Sequence, residues 1–263
     1  MNRIESAFRR APIFMPYYPL GYPDLPASLD VIEALAAGGA DLIEVGLSFS
    51  DPLADGPVIQ QATQKALENG ITVRKALQGV AELRRRGVTI PLVLMGYYNP
   101  LLAYGLADFV RDARAAGADG FIIADLPPEE AAEFESLCGD LPLIRMLAPT
   151  TPAARMQRIA PDARGFIYLV SVTGVTGARS ELPAGLPELI GAVRAVSQTP
   201  VCVGFGIGTP QQAQAVAALA DGVIVGSACV RAVGSSADPV AAARAFAAEF
   251  SAALKGVRAP MGG

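Results

Sequence analysis

AAGGADLIEVG (Ala36–Gly46), AAGADGFIIAD (Ala115–Asp125) and ALADGVIVG (Ala218–Gly226) are three versions of one pattern. Each reads as a helix end, a small-residue turn, an aspartate and then a short buried strand. Working outward from these, similar apolar runs bounded by Gly, Pro or Asp predict eight strands. They are Ile13–Tyr18, Leu42–Gly46, Pro91–Met95, Gly120–Ala124, Leu143–Leu147, Phe166–Ser171, Val201–Phe205 and Gly222–Gly226. Between them lie stretches with helical spacing, among them Leu29–Ala37, Val73–Arg86, Leu106–Ala116 and Gln211–Ala220. Strands that alternate with helices must pair in parallel, and eight such units in 263 residues predict an α/β fold of the closed (β/α)8 TIM-barrel type. An open doubly wound sheet would need a glycine-rich loop after its first strand, where Pro19-Leu20-Gly21-Tyr22 stands instead. No linker or low-complexity segment interrupts the pattern, so residues 1–263 are expected to form a single domain. Val233–Asp238 reads as a loop before a last Ala-rich helix, and Ala259–Gly263 as a frayed tail.

Composition narrows the chemistry. A chain that is 52% hydrophobic and 17% charged can bury a sizeable core and is not disordered. A net charge of −4 leaves no basic excess for nucleic acid or an anionic membrane. There is no histidine, which excludes Ser-His-Asp and Cys-His mechanisms and His-ligated metal sites. Cys138, Cys202 and Cys229 are far apart and read as reduced, buried thiols of a cytoplasmic protein. The opening MNRIESAFRRAPIF has no targeting character, and no apolar run approaches the roughly 18 residues of a membrane helix.

Glu44 interrupts the apolar run Leu42-Ile43-Glu44-Val45-Gly46. Side chains alternate along a strand, so Ile43 and Val45 share the face that helices cover and Glu44 points into the barrel. A carboxyl there, near the strand's C-terminal end, is an acid–base group with a raised pKa, one partner of a buried arginine, or a group close enough to the rim to stay wet. The next loop, Ser48-Phe49-Ser50-Asp51-Pro52-Leu53-Ala54-Asp55-Gly56-Pro57, sits over the barrel mouth and precedes a helix that begins near Val58. Asp51 and Asp55 are therefore site candidates or simple turn residues. Glycine-rich turns follow the late strands, at Thr173–Gly177, Gly204–Gly208 and Gly226-Ser227. Their backbone N–H groups at one barrel end predict a phosphate site that needs no lysine. Tyr17, Tyr22, Tyr97, Tyr98, Tyr168 and Phe205 could wall a flat aromatic substrate, or simply fill the core. Arg84-Arg85-Arg86 reads as a solvated helix C-terminus.

The same residues carry a family resemblance. Ile43–Gly46 with Phe49-Ser50-Asp51-Pro52-Leu53-Ala54-Asp55-Gly56-Pro57-Val58-Ile59-Gln60 resembles the signature of the tryptophan synthase α subunits, which are indole-3-glycerol-phosphate lyases. Tyr98-Asn99-Pro100, Ala124–Pro127, Ser171, Gly174–Gly177 and Gly204–Ile207 extend the likeness over essentially the whole chain. The resemblance implies that Glu44 and Asp55 are catalytic. It implies that Tyr17, Ile59, Tyr168 and Phe205 surround the substrate, and that Gly177, Gly206, Gly226 and Ser227 hold its phosphate. It implies retro-aldol cleavage of indole-3-glycerol phosphate to indole and glyceraldehyde 3-phosphate with no metal or organic cofactor. The partner it implies is a pyridoxal-phosphate β subunit in an α2β2 tetramer, to which the indole passes. Ser48 departs from the pattern, since proline is usual before Phe-Ser-Asp-Pro. A Schiff-base aldolase would need a lysine in the barrel, and Lys65, Lys75 and Lys255 all fall on predicted helices. A free-standing lyase and a barrel kept only to bind or activate a partner remain as alternatives.

Overall fold

A computed structural model describes residues 2–10, 12–170, 185–204 and 206–257. All eight apolar runs form strands: β1 (Ile13–Pro19), β2 (Ile43–Gly46), β3 (Leu92–Gly96), β4 (Gly120–Ile123), β5 (Arg145–Leu147), β6 (Ile167–Val170), β7 (Val201–Gly204) and β8 (Gly222–Val225). They pair in parallel in the order β4-β3-β2-β1-β8-β7-β6-β5. The seam between β4 and β5 is joined by a single bridge, Phe121 to Leu143, which completes a (β/α)8 barrel.

The repeated aspartate has a physical task. Asp41, at the entry to β2, accepts a hydrogen bond from the Phe14 N–H of β1 at 2.9 Å. Asp119 does the same for Leu92 of β3 at 2.8 Å, and Asp221 for Val201 of β7 at 2.8 Å. Each aspartate's own N–H donates back to the carbonyl of that same residue. The carboxylates thus close the N-terminal ends of three strand pairs, where starting strands would otherwise leave N–H groups without partners.

Strand register sorts the side chains into two sets. Tyr17 lies beside Glu44, Glu44 beside Val93, and Val93 beside Gly120, so all four positions face the barrel interior. On the far side Met146, Tyr168 and Cys202 share a level. The alternate residues face the helices: Phe14 stacks on Phe250 of the last helix, Pro239–Leu254, with centroids 5.3 Å apart. Phe121 packs on Phe109 and Phe134 at 5.5 and 5.4 Å.

Several expectations need correction. Arg84 is not solvated: its side chain is 14% exposed and bonds Asp119 at 2.5 Å and the carbonyls of Gly117, Val88 and Ile90. The C-terminus of its helix, Val73–Arg85, abuts loops whose carbonyl groups need donors. The helix after β8 runs Ser227–Gly234, so the loop before the last helix is shorter than expected. Lys255 caps the last helix and is not part of its body. The 259–263 tail lies outside the described residues.

Candidate active site

β2 delivers Glu44 into the barrel interior, as alternation requires, and leaves it 1% exposed. Among the described residues no arginine pairs with it, and its Oε1 has no hydrogen-bond partner. Burial alone pushes its carboxyl up to about 8. The loop after β2 supplies Asp55, 6% exposed and pushed up to about 6 by burial, while interaction with the Tyr97 hydroxyl acts the other way. Asp51 differs from Asp55. It is exposed and accepts from the Ser50 hydroxyl, so the turn reading suits Asp51 alone.

Tyr97, in the sequence one aromatic among several, stands at the centre of these contacts. Its hydroxyl accepts the Ala54 N–H at 3.0 Å while facing Asp55, and its ring lies 5.4 Å from Phe49. It therefore ties the acidic loop to the end of β3. Tyr98, next in sequence, points away and meets Phe134 edge-on, and the Tyr22 hydroxyl lies against Gly234. Both therefore pack against helices, Tyr98 against the one that carries Phe134 and Tyr22 against the end of the one that carries Gly234.

Two further tyrosines complete the interior. A Cβ at Gly46 would overlap the Tyr17 hydroxyl, and one at Gly204 would overlap that of Tyr168. Glycine at those two positions lets a phenol from the neighbouring strand lie on the backbone. The fields of Glu44 and Asp55 reach both hydroxyls, and with burial they keep both phenols protonated. Ile59, on the helix Pro57–Glu68, stands 3.4 Å from where a Gly226 Cβ would be, with the Tyr17 Cβ at 3.7 Å. The structure thus gathers Glu44, Asp55, Tyr17, Tyr168, Ile59 and Gly226 at one barrel end.

Gly226 caps the helix Ser227–Gly234 with no side-chain hydrogen bond, leaving the first N–H groups of that helix available to an anion. Gly206 has φ +82°, which favours glycine. Gly177 and Phe205 lie outside the described residues. Ser48 leaves its Oγ buried and without a hydrogen-bond partner.

Comparison with known proteins agrees with this geometry. The family model described as tryptophan synthase alpha chain matches residues 5–256. The chain belongs to the tryptophan synthase α family. The tryptophan synthase alpha chain of Roseiflexus castenholzii is 49% identical, over 97% of this chain and 100% of its own length. That of Chloroflexus aggregans is 52% identical, over 88% of this chain and 89% of its own. Among solved structures, Mycobacterium tuberculosis tryptophan synthase superposes with a TM-score of 0.89 at 40% identity, covering 97% of this chain and 98% of that one. The function is accordingly that of a tryptophan synthase α subunit, a lyase that cleaves indole-3-glycerol phosphate to indole and glyceraldehyde 3-phosphate. Family membership implies a β-subunit partner. Among the described residues no helix is long and apolar enough to cross a membrane.

Proposed function

We propose that Glu44 and Asp55 divide the lyase chemistry between them. The supporting observation is the separation of their acidities, with a buried, unpartnered Glu44 at about 8 and Asp55 at about 6. At neutral pH, Glu44 is mostly the acid and Asp55 mostly the anion. Glu44 gives its proton to C3 of the indole, which makes that carbon able to accept the bonding electrons. The side-chain hydroxyl next to C3 loses its proton to the Glu44 carboxylate, the C–C bond breaks, and its electron pair restores the indole ring. Glu44 ends protonated, as it began. Asp55 accepts a hydrogen bond from the indole N–H and stabilises the positive charge that forms on the ring.

Tyr17, Ile59, Tyr168 and Phe205 surround the indole in this reading. Main-chain N–H groups of Gly177, Gly206, Gly226 and Ser227 hold the phosphate, with the helix Ser227–Gly234 adding its positive end. One domain carries the whole site, and no metal or organic cofactor takes part. The chain works in the cytoplasm in an α2β2 assembly and hands its indole to the pyridoxal-phosphate β subunit. Leu53 in the acidic loop is 90% exposed and Leu102, beyond β3, is 50% exposed. Apolar residues presented to solvent near the barrel mouth suit a docked partner there. Turnover of indole-3-glycerol phosphate by the purified chain, with and without a β subunit, tests the reading. The α reaction should be slow alone and faster in the complex. High activity that a β subunit leaves unchanged would reject the coupled role.

A further inference from the structure

Asp55 must stay ionised with its side chain almost closed to solvent, and a buried carboxylate is costly unless a donor faces it. Two bonds within its own loop and helix fix its backbone. The Asp55 N–H donates to the Pro52 carbonyl at 3.1 Å, and Gln60 Nε2 donates to the Asp55 carbonyl at 2.9 Å. The side chain meets Tyr97, which follows β3 and is itself buried. A phenol has one O–H to give and lone pairs that accept. At Tyr97 the Ala54 N–H occupies the accepting side at 3.0 Å, and Phe49 holds the ring. The O–H is left to hydrogen-bond the Asp55 side chain, and it draws that carboxyl's pKa down against the rise from burial. Around this pair stand groups that offer no positive charge. Glu44 of β2 is another carboxyl, and Asp51 is exposed and bonded to Ser50. Tyr17 of β1 and Tyr168 of β6 are phenols held protonated partly by the charge of Asp55. Asp125, beyond β4, accepts the Tyr98 N–H. Among the described residues no arginine or lysine pairs with Asp55.

Resting on the division of labour above, we propose that Tyr97 is a positioning residue for Asp55, its hydroxyl fixing the loop through the Ala54 N–H while its proton holds the Asp55 carboxylate. One carboxylate oxygen takes the phenol, and the other is left facing the indole N–H. The link joins the end of β3 to the loop after β2, so the anion is set by a neighbouring strand and not by the loop alone.

Tyr97→Phe keeps the ring against Phe49 and removes the hydroxyl. The Asp55 carboxyl can be titrated by infrared spectroscopy in the substrate-free protein, its band assigned by its loss in Asp55→Asn. In Tyr97→Phe its pKa should rise from about 6 by about one unit. The acid limb of the kcat–pH profile should move up by the same amount, and kcat at pH 7 should drop about tenfold. A tyrosine that only packed the loop would act otherwise, since a loosened loop admits water and returns the carboxyl towards its ordinary 3.8. An Asp55 pKa that stays put or falls in a folded Tyr97→Phe protein therefore overturns the proposal. Should that variant fold poorly, 3-fluorotyrosine at the same position makes the O–H a stronger donor and should lower the Asp55 pKa, and an unmoved or raised value there overturns the proposal equally. Full turnover in Asp55→Asn would instead reject the role of Asp55 itself, so the two failures are distinguishable.

Discussion

Replacing Glu44 with glutamine should remove activity and add stability, and the added stability should depend on pH. In the fold Glu44 titrates at about 8, against 4.5 for an unburied glutamate. Between those values the unfolded chain releases a proton that the folded chain keeps. The stability contributed by this group is therefore complete below about pH 4.5 and is lost as the pH rises towards 8. At about 1.36 kcal/mol per pKa unit, the loss between pH 5 and pH 8 comes to about 3 kcal/mol. The amide introduced by Glu44→Gln has no such proton to release and escapes that loss. Asp55, pushed up to about 6, weakens both proteins in the same direction, so its effect cancels in the comparison. Urea unfolding followed by circular dichroism at pH 5, 6, 7 and 8 should show the advantage of Glu44→Gln over wild type widening by about 3 kcal/mol across the series. Cleavage of indole-3-glycerol phosphate should fall at least about a hundredfold in the same variant. A stability difference that is the same at every pH would refute the reasoning, because it would mean that Glu44 already ionises freely in the folded chain.

Asp55→Asn should impair turnover strongly, since it keeps the shape and loses the charge, whereas Asp51→Asn should have little effect. Steady-state kinetics of the pair check this, and the reverse ranking would mean that the exposed aspartate is the functional one. Gly206→Val should weaken substrate binding, because a branched side chain is strained at φ +82° and obstructs the approach of the phosphate to the backbone. Isothermal titration with a substrate analogue should show the loss for Gly206→Val, and undiminished affinity would remove Gly206 from the phosphate site. Leu53→Ser should leave the fold intact while weakening association with the β subunit, since a side chain 90% exposed contributes little to the α fold. Sedimentation velocity of the mixed subunits measures this, and an assembly as tight as wild type would place the contact elsewhere.

Local pattern carried the architecture. Apolar runs of strand length, separated by helical spacing and small-residue turns, dictate parallel strands, and alternation along Leu42–Gly46 turns Glu44 inward without any knowledge of the rest of the chain. The acidic loop and the lack of histidine were equally legible, because they depend on residue identity alone. What sequence left open was every choice that depends on partners distant in the chain. Whether Glu44 pairs with an arginine or stands alone, and whether Asp51 or Asp55 is the buried aspartate, follows from what closes over them. Tyr97 became the anchor of the Asp55 loop, while Tyr22 and Tyr98 pack against Gly234 and Phe134, by the direction each side chain takes beyond its strand. Arg84 became a buried staple because its helix ends over Asp119, 35 residues away in sequence. Residue order alone dictates which faces are apolar and which groups can do chemistry. Only the closed barrel decides which of those groups are stripped of water and set against one another, and that desolvation gives Glu44 and Asp55 their different acidities.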